Sequence, residues 1–241
     1  MYGMYGYGYG YGLDPTIILV LIGVALSLWA QGRVNSTFSR YSRVRSMTGM
    51  TGAEAARRLL NAQGIYDVTV QQIAGELTDH YDPRTKTVNL SQSVYGATSV
   101  AAIGVAAHEC GHAIQDNEGY APLRFRSALV PVANFGSSLS WPLILLGLVF
   151  GGLGSPLVEI GILMFSLAVL FQLVTLPVEY NASARAVRLL DAQGILAGEE
   201  VNGTRKVLNA AALTYVAAAA TSILQLLRLI ILFGGRNRRD R

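Results

Sequence analysis

Charge is scarce in this 241-residue chain: 14% of residues are charged, against about 25% in soluble domains. With 51% hydrophobic residues and a mean hydropathy of +0.37, that deficit excludes an ordinary water-soluble domain. It also excludes intrinsic disorder, collagen and a whole-chain coiled coil. Cysteine occurs once, at Cys110, so no intrachain disulfide framework exists. The net charge of +4 has the sign for nucleic acid, but the arginines flank apolar runs instead of forming a stripe, and no nucleic-acid partner is expected. Histidine is also rare, at His80, His108 and His112, and two of the three stand four residues apart with a glutamate between them.

What is present is a succession of long apolar runs. A Gly/Tyr tail (MYGMYGYGYGYG) opens the chain, and residues 1–15 are expected to be disordered. Residues 16–32 read as a transmembrane helix, their apolar run being near the lower limit of about 17 residues for a span. A cleaved signal peptide would need a basic segment before the run and an A-x-A-like site after it, and the sequence has neither. Arg33, Arg40, Arg43 and Arg45 follow with no acidic residue among them, which places this end on the cytoplasmic face. Phe38, Tyr41 and Val44 recur every three residues there, as in a basic helix lying on headgroups or in a plain linker.

Residues 33–126 hold this basic linker, a helix, a small sheet and a second helix. Thr51 and Glu54 have capping-box spacing, opening a helix to about Gln63 that Gly64 ends in a Schellman turn. RLLNAQGI (58–65) returns as RLLDAQGI (188–195), read as two helices sharing one kind of cap in preference to a duplicated domain. From Tyr66 to Ser91 the chain is polar and β-prone, with a turn at Asp82-Pro83-Arg84-Thr85, so a small antiparallel sheet with one hairpin is expected. Thr98 to Asp116 is Ala-rich and helical. Residues 127–178 read as a transmembrane hairpin whose Gly151–Pro156 tip, without Lys or Arg, faces outward. Its ends return to one side and bring Asp116 and Glu179 to the same face. Residues 179–210 connect to a last apolar run, 211–233, within the C-terminal segment 211–241. A crossing there would put Arg236, Arg238, Arg239 and Arg241 outside, against the positive-inside tendency, yet Ile223 to Phe233 is too apolar for water. Three to four transmembrane helices are therefore expected in a mainly α-helical integral membrane protein.

Residues 108–112 read His-Glu-Cys-Gly-His. On a helix, positions four apart share a face, so two imidazoles can point at one ion. Glu109, beside the first, can reach a water on that ion and take its proton, which is the H-E-x-x-H arrangement. Zinc suits nitrogen and oxygen donors, and a catalytic site keeps one position open. Two structural histidines would be the plainer reading, but the AAIGVAA that precedes them offers no partners for buried imidazoles. Cys110 lies about 200° round the helix from His108 and is a packing residue. A third ligand is required. Glu118 has metzincin-like spacing, but Gln115 occupies the position where such sites need glycine. His80, from the strand region, is a second candidate. Glu179 is the best: it follows Pro177 at the start of a new helix, and an acid at an apolar boundary needs a partner.

The stretches LTDHYDPRTKTV (77–88), AAHECGHAIQD (106–116) and LPVEYNASARA (176–186) resemble the neutral zinc metallopeptidases, a family of multi-pass bacterial membrane proteins. More distantly, the arrangement is similar to the membrane zinc proteases of the heat-shock and prenyl-protein-processing group. The resemblance implies a zincin-like α+β catalytic domain, Zn2+ held by His108, His112 and Glu179, and Glu109 as the base. Many glutamate-zincins carry an aspartate four residues after the ligand glutamate; here that position is Ser183, and Asn181 or Asp116 are alternatives for orienting an imidazole. For the oxyanion donor the candidate is His80, beside Tyr81 on an edge strand that could receive substrate; Tyr215 and Arg185 are weaker. The expected function is a zinc metalloendopeptidase in the cell membrane with its site on the cytoplasmic side. Its partners would be the bilayer and peptide or protein substrates, membrane proteins among them. A scaffold or chaperone with a structural zinc is the alternative.

Overall fold

The structure is a computed structural model that describes residues 14–153 and 155–234. The Gly/Tyr repeat and the arginines from Arg236 onward lie outside the described residues. Seven helices and three strands follow in the order α1 (Ile17–Tyr41), α2 (Gly52–Ala62), β1 (Thr69–Ile73), β2 (His80–Asp82), β3 (Thr87–Ser91), α3 (Gln92–Tyr95), α4 (Val100–Asn117), α5 (Ala121–Gly151), α6 (Pro156–Ala192) and α7 (Glu199–Phe233). Four of these, α1, α5, α6 and α7, are long and apolar enough to cross a membrane, so the chain is a mainly helical membrane protein.

The helices extend beyond their apolar runs. The basic stretch after residue 32 continues α1 as far as Tyr41, where Phe38 and Tyr41 pack on the core below the membrane layer. Pro177 does not start a new helix, because α6 runs through it to Ala192. Within α5 and α6 the backbones approach at small residues: a Cβ added to Gly161 would lie 2.8 Å from the Ser140 carbonyl, and one on Gly136 2.7 Å from that of Met164. Such contact is how helices associate where lipid removes the hydrophobic drive. α7 lies antiparallel along the whole of α1. Arg228 Nε donates to Thr16 Oγ1 (3.2 Å) and Nη2 pairs with Asp14 (3.4 Å) at one end. Thr221 Oγ1 donates to the Gly23 carbonyl (3.1 Å) in the middle, and Gly203 abuts Tyr41 at the other end. Residues 211–233 therefore run alongside the apolar part of α1 in the opposite direction.

The polar-side domain is built on α2, the sheet, α4 and the ends of α6 and α7, around Leu59, Leu60, Leu90, Ile103, Ile114 and Leu190. Thr51 and Glu54 form the capping box of α2. Its C-terminus closes with Ile65 N donating to Leu60 O (3.0 Å) around Gly64 at φ +70. The second copy of that octapeptide closes α6 the same way, with Ile195 N on Leu190 O (3.0 Å) and Gly194 at φ +60, so the repeat is a shared cap.

The sheet is mixed, which corrects the expectation of a wholly antiparallel one. β2 and β3 form the expected hairpin, pairing His80 with Asn89 and Asp82 with Thr87. β1, however, pairs in parallel with β3, from Thr69–Thr87 to Ile73–Ser91, giving the order β1-β3-β2. The reason is burial. All five residues of β3 are buried, so the most apolar face is served by making it the central strand, and the 74–79 loop carries the chain across to its far edge.

Candidate metal centre

α4 carries His108 and His112 one turn apart, and its close contact with α6 supplies the third group. That contact is made at Gly111, where an added Cβ would lie 2.6 Å from the Ala182 carbonyl. With the backbones so near, Glu179 projects onto the histidine face. His108 Nε2 is 3.2 Å from Glu179 Oε2, His112 Nε2 is 3.5 Å from the same oxygen, and the two Nε2 atoms are 3.2 Å apart. A tetrahedral zinc with bonds of about 2.0–2.1 Å has donor–donor edges of about 3.3–3.4 Å. The three donor atoms thus stand at the separations that ion requires.

The tautomers agree with this. Gln115 is fully buried, and its Nε2 donates to both the Val178 carbonyl (3.0 Å) and Asn181 Oδ1 (2.9 Å). Its Oε1 must then face His112 Nδ1 (3.0 Å), which carries the proton and leaves Nε2 as a bare lone pair. His108 Nδ1 is 3.1 Å from Ser183 Oγ, so the serine at the aspartate position does reach the imidazole. Asn181 acts through Gln115. Asp116 is turned elsewhere, accepting from Tyr81 Oη and Lys86 Nζ, both at 2.8 Å. On its other side, Glu179 Oε1 meets Arg126 Nη1 at 3.2 Å.

His108 and Glu179 line a cavity of about 300 Å³ whose walls also include Gln31, Asp79, Glu109, Ser183 and Tyr215. Glu109 is 7% exposed, and burial pushes its carboxyl up to about 7, with Glu179 adding to the effect and His108 opposing it. Burial likewise raises Asp79, whose carboxylate accepts from Ser91 N (2.7 Å). Leu77, at φ +54, holds the 74–79 loop over the same cavity.

His108, Glu109, His112 and Glu179 are therefore brought together, and Tyr215 joins them at the cavity wall. His80 is not among them. Its ring is exposed on β2, with Nδ1 2.8 Å from the Thr78 carbonyl and Nε2 3.2 Å from Asn89 Nδ2. Glu118 and Arg185 are likewise taken up by each other (2.7 Å), outside the cavity. Cys110 packs against α2, its Sγ 3.6 Å from the Ala56 carbonyl. Sequence reasoning missed Gln115 as a partner of His112 and Arg126 as a partner of Glu179. The first was signalled by its position three residues after His112 on an otherwise apolar helix; the second has no local signal.

An H-E-x-x-H helix joined by a glutamate from a long apolar helix is a candidate metal centre in a membrane protein. The sequence profile of the family described as "Putative neutral zinc metallopeptidase" matches residues 16–234, and the chain belongs to that family. It is 49% identical over 217 residues to the "Putative membrane protease YugP" of Bacillus subtilis (strain 168), covering 90% of this chain and 96% of that protein. No solved structure matches the chain.

Proposed function

We propose that the protein is a membrane-embedded zinc metalloendopeptidase that hydrolyses peptide bonds of protein substrates at the cytoplasmic membrane surface. The observation that carries this reading is the triangle of His108, His112 and Glu179 donor atoms beside the buried carboxyl of Glu109 on one open cavity. Zinc, when bound, polarises a carbonyl and lowers the pKa of a water to about 7. Glu109 accepts the proton of the attacking water and delivers it to the leaving amine. Tyr215, on the cavity wall beside Glu179, takes the role of oxyanion donor for which His80 was the first candidate. Gln115 and Ser183 hold the imidazoles with their Nε2 atoms aimed inward.

The cavity lies where three spanning helices leave their apolar runs, at Gln31 of α1, Glu179 of α6 and Ala211 to Tyr215 of α7. Substrates presented by the bilayer itself, membrane proteins and segments emerging from it, fit that depth. The arginines that follow the apolar run of α1 support the cytoplasmic assignment. A scaffold with a structural zinc is less well supported, since structural sites are closed by four protein ligands, whereas three converge here next to open space.

The test is Glu109→Gln in full-length protein purified in detergent, assayed on a membrane-protein substrate. Hydrolysis is expected to fall by about 10²–10⁴-fold with bound zinc unchanged. Full activity in the variant would contradict the assignment of Glu109 as base.

A further inference from the structure

A second cleft lies on the other side of α7 from the metal centre. Its volume is about 610 Å³, and α1, α6 and α7 all contribute to it. Arg33 and Arg40 come from α1, Lys206 and Asn209 from α7, and Tyr180 from α6, with Tyr41 at the edge. Arg33, Arg40 and Lys206 are exposed, and no carboxylate lines the cleft among the described residues. The Arg40 guanidinium lies 5.7 Å over the Tyr41 ring, which orients it without neutralising it. The position in the chain is the same on all three helices. The apolar run of α1 ends just before Arg33, that of α6 just before Tyr180, and that of α7 begins just after Asn209. Antiparallel packing of α1 against α7 puts these three transitions at one depth, so three cations without a carboxylate partner among the described residues meet two phenols at the membrane–water boundary.

We infer that this cleft binds the phosphate headgroup of an anionic phospholipid. Basic pockets between spanning helices at that level suit such headgroups, each Lys or Arg adding to the attraction while acyl chains lie along the apolar surface beyond. A phosphodiester can accept from both guanidinium groups and the ammonium, and the Tyr180 hydroxyl and Asn209 amide can serve the glycerol and ester oxygens. Exposed apolar side chains on the same face of α1, Ile18, Ile22 and Trp29, continue from the cleft toward the bilayer interior. That continuity favours a lipid over free phosphate as the occupant.

The test uses full-length protein in mixed micelles of phosphatidylcholine and phosphatidylglycerol, with retained lipids read by native mass spectrometry. Wild-type protein is expected to retain phosphatidylglycerol in preference. Arg33→Gln/Arg40→Gln/Lys206→Gln is expected to lose that preference by on the order of a hundred-fold. A charge-matched control, Arg57→Gln/Arg58→Gln/Arg84→Gln, on the polar-side domain, is expected to keep it. Lys206→Glu alone, at an exposed position, repeats the measurement should the triple variant not fold, with a loss of at least about ten-fold. Preference retained in the cleft variants, or lost equally in the control, would overturn the inference. So would displacement of the lipid by millimolar inorganic phosphate, which would make the occupant a soluble anion.

Discussion

Which nitrogen of His112 faces the centre is decided by an amide three residues further along the same helix. Because both protons of the Gln115 amide are spent on Val178 and Asn181, its oxygen is committed to the imidazole. Gln115→Leu removes that restraint and the side-chain donor to the Val178 carbonyl. It should weaken zinc binding about 10–100-fold in competition with a chromophoric chelator, the size typical of partners that orient metal-bound histidines. Tyr215→Phe should lower kcat by about 10²–10³-fold while zinc content stays at the wild-type level, as expected for loss of an oxyanion donor. An equal rise in KM with kcat unchanged would instead assign Tyr215 to substrate binding. His108, Glu109 and His112 were legible in the sequence because their relation is local, a matter of helical pitch. His80 lies outside the cavity lining, since whether a strand residue faces a site depends on register and on the loop before it. Gln115 and Arg126 act through tertiary contacts, with Val178 and Glu179, that no spacing along the chain records.

Among the elements, the contact between α4 and α6 is the one that makes the centre. The alanine-rich sequence before His108 and the glycine at 111 let α4 lie against α6 closely enough for a glutamate to reach both imidazoles. Gly111→Ala would push a methyl group against the Ala182 carbonyl. It should cost about 1–3 kcal/mol and separate Glu179 from the histidines, seen as reduced zinc affinity together with a lower thermal midpoint. Gly64→Ala is the contrasting case: it sits at φ +70 in open space at the end of α2, so it should cost about 1–2 kcal/mol and leave zinc affinity unchanged. The hairpin of α5 and α6 was readable from two apolar runs and an uncharged tip, and that alone predicted that Glu179 returns to the side of the helix bearing His108 and His112. The continuity of α6 through Pro177 was not readable, because neighbouring helices tolerate a proline that the local rule treats as a break. Nor was the parallel pairing of β1 with β3, since which strand occupies the centre of a sheet is set by what packs on it.

For the molecule as a whole, a mainly helical membrane body carries a small polar-side domain, and the two meet at the candidate metal centre. α1 and α7 line that centre from the membrane side, α4 from the domain, and α6 belongs to both. The positive-inside argument left the last apolar run unresolved. The pairing of Arg228 with Asp14 and Thr16 lays α7 along α1 from end to end, which supports a crossing, and it gives the one cation in that run a carboxylate partner. The account rests on three donors, contributed by a domain helix and a membrane helix, holding one zinc ion. X-ray absorption at the zinc edge, combined with metal analysis of the detergent-purified full-length protein and of Glu179→Ala, tests it most directly. The expected result is one zinc per chain, ligated by two imidazoles and a carboxylate oxygen, with occupancy lost in the variant. A wild-type protein that takes up no zinc, or a Glu179→Ala protein with an unaltered spectrum and full occupancy, would contradict it.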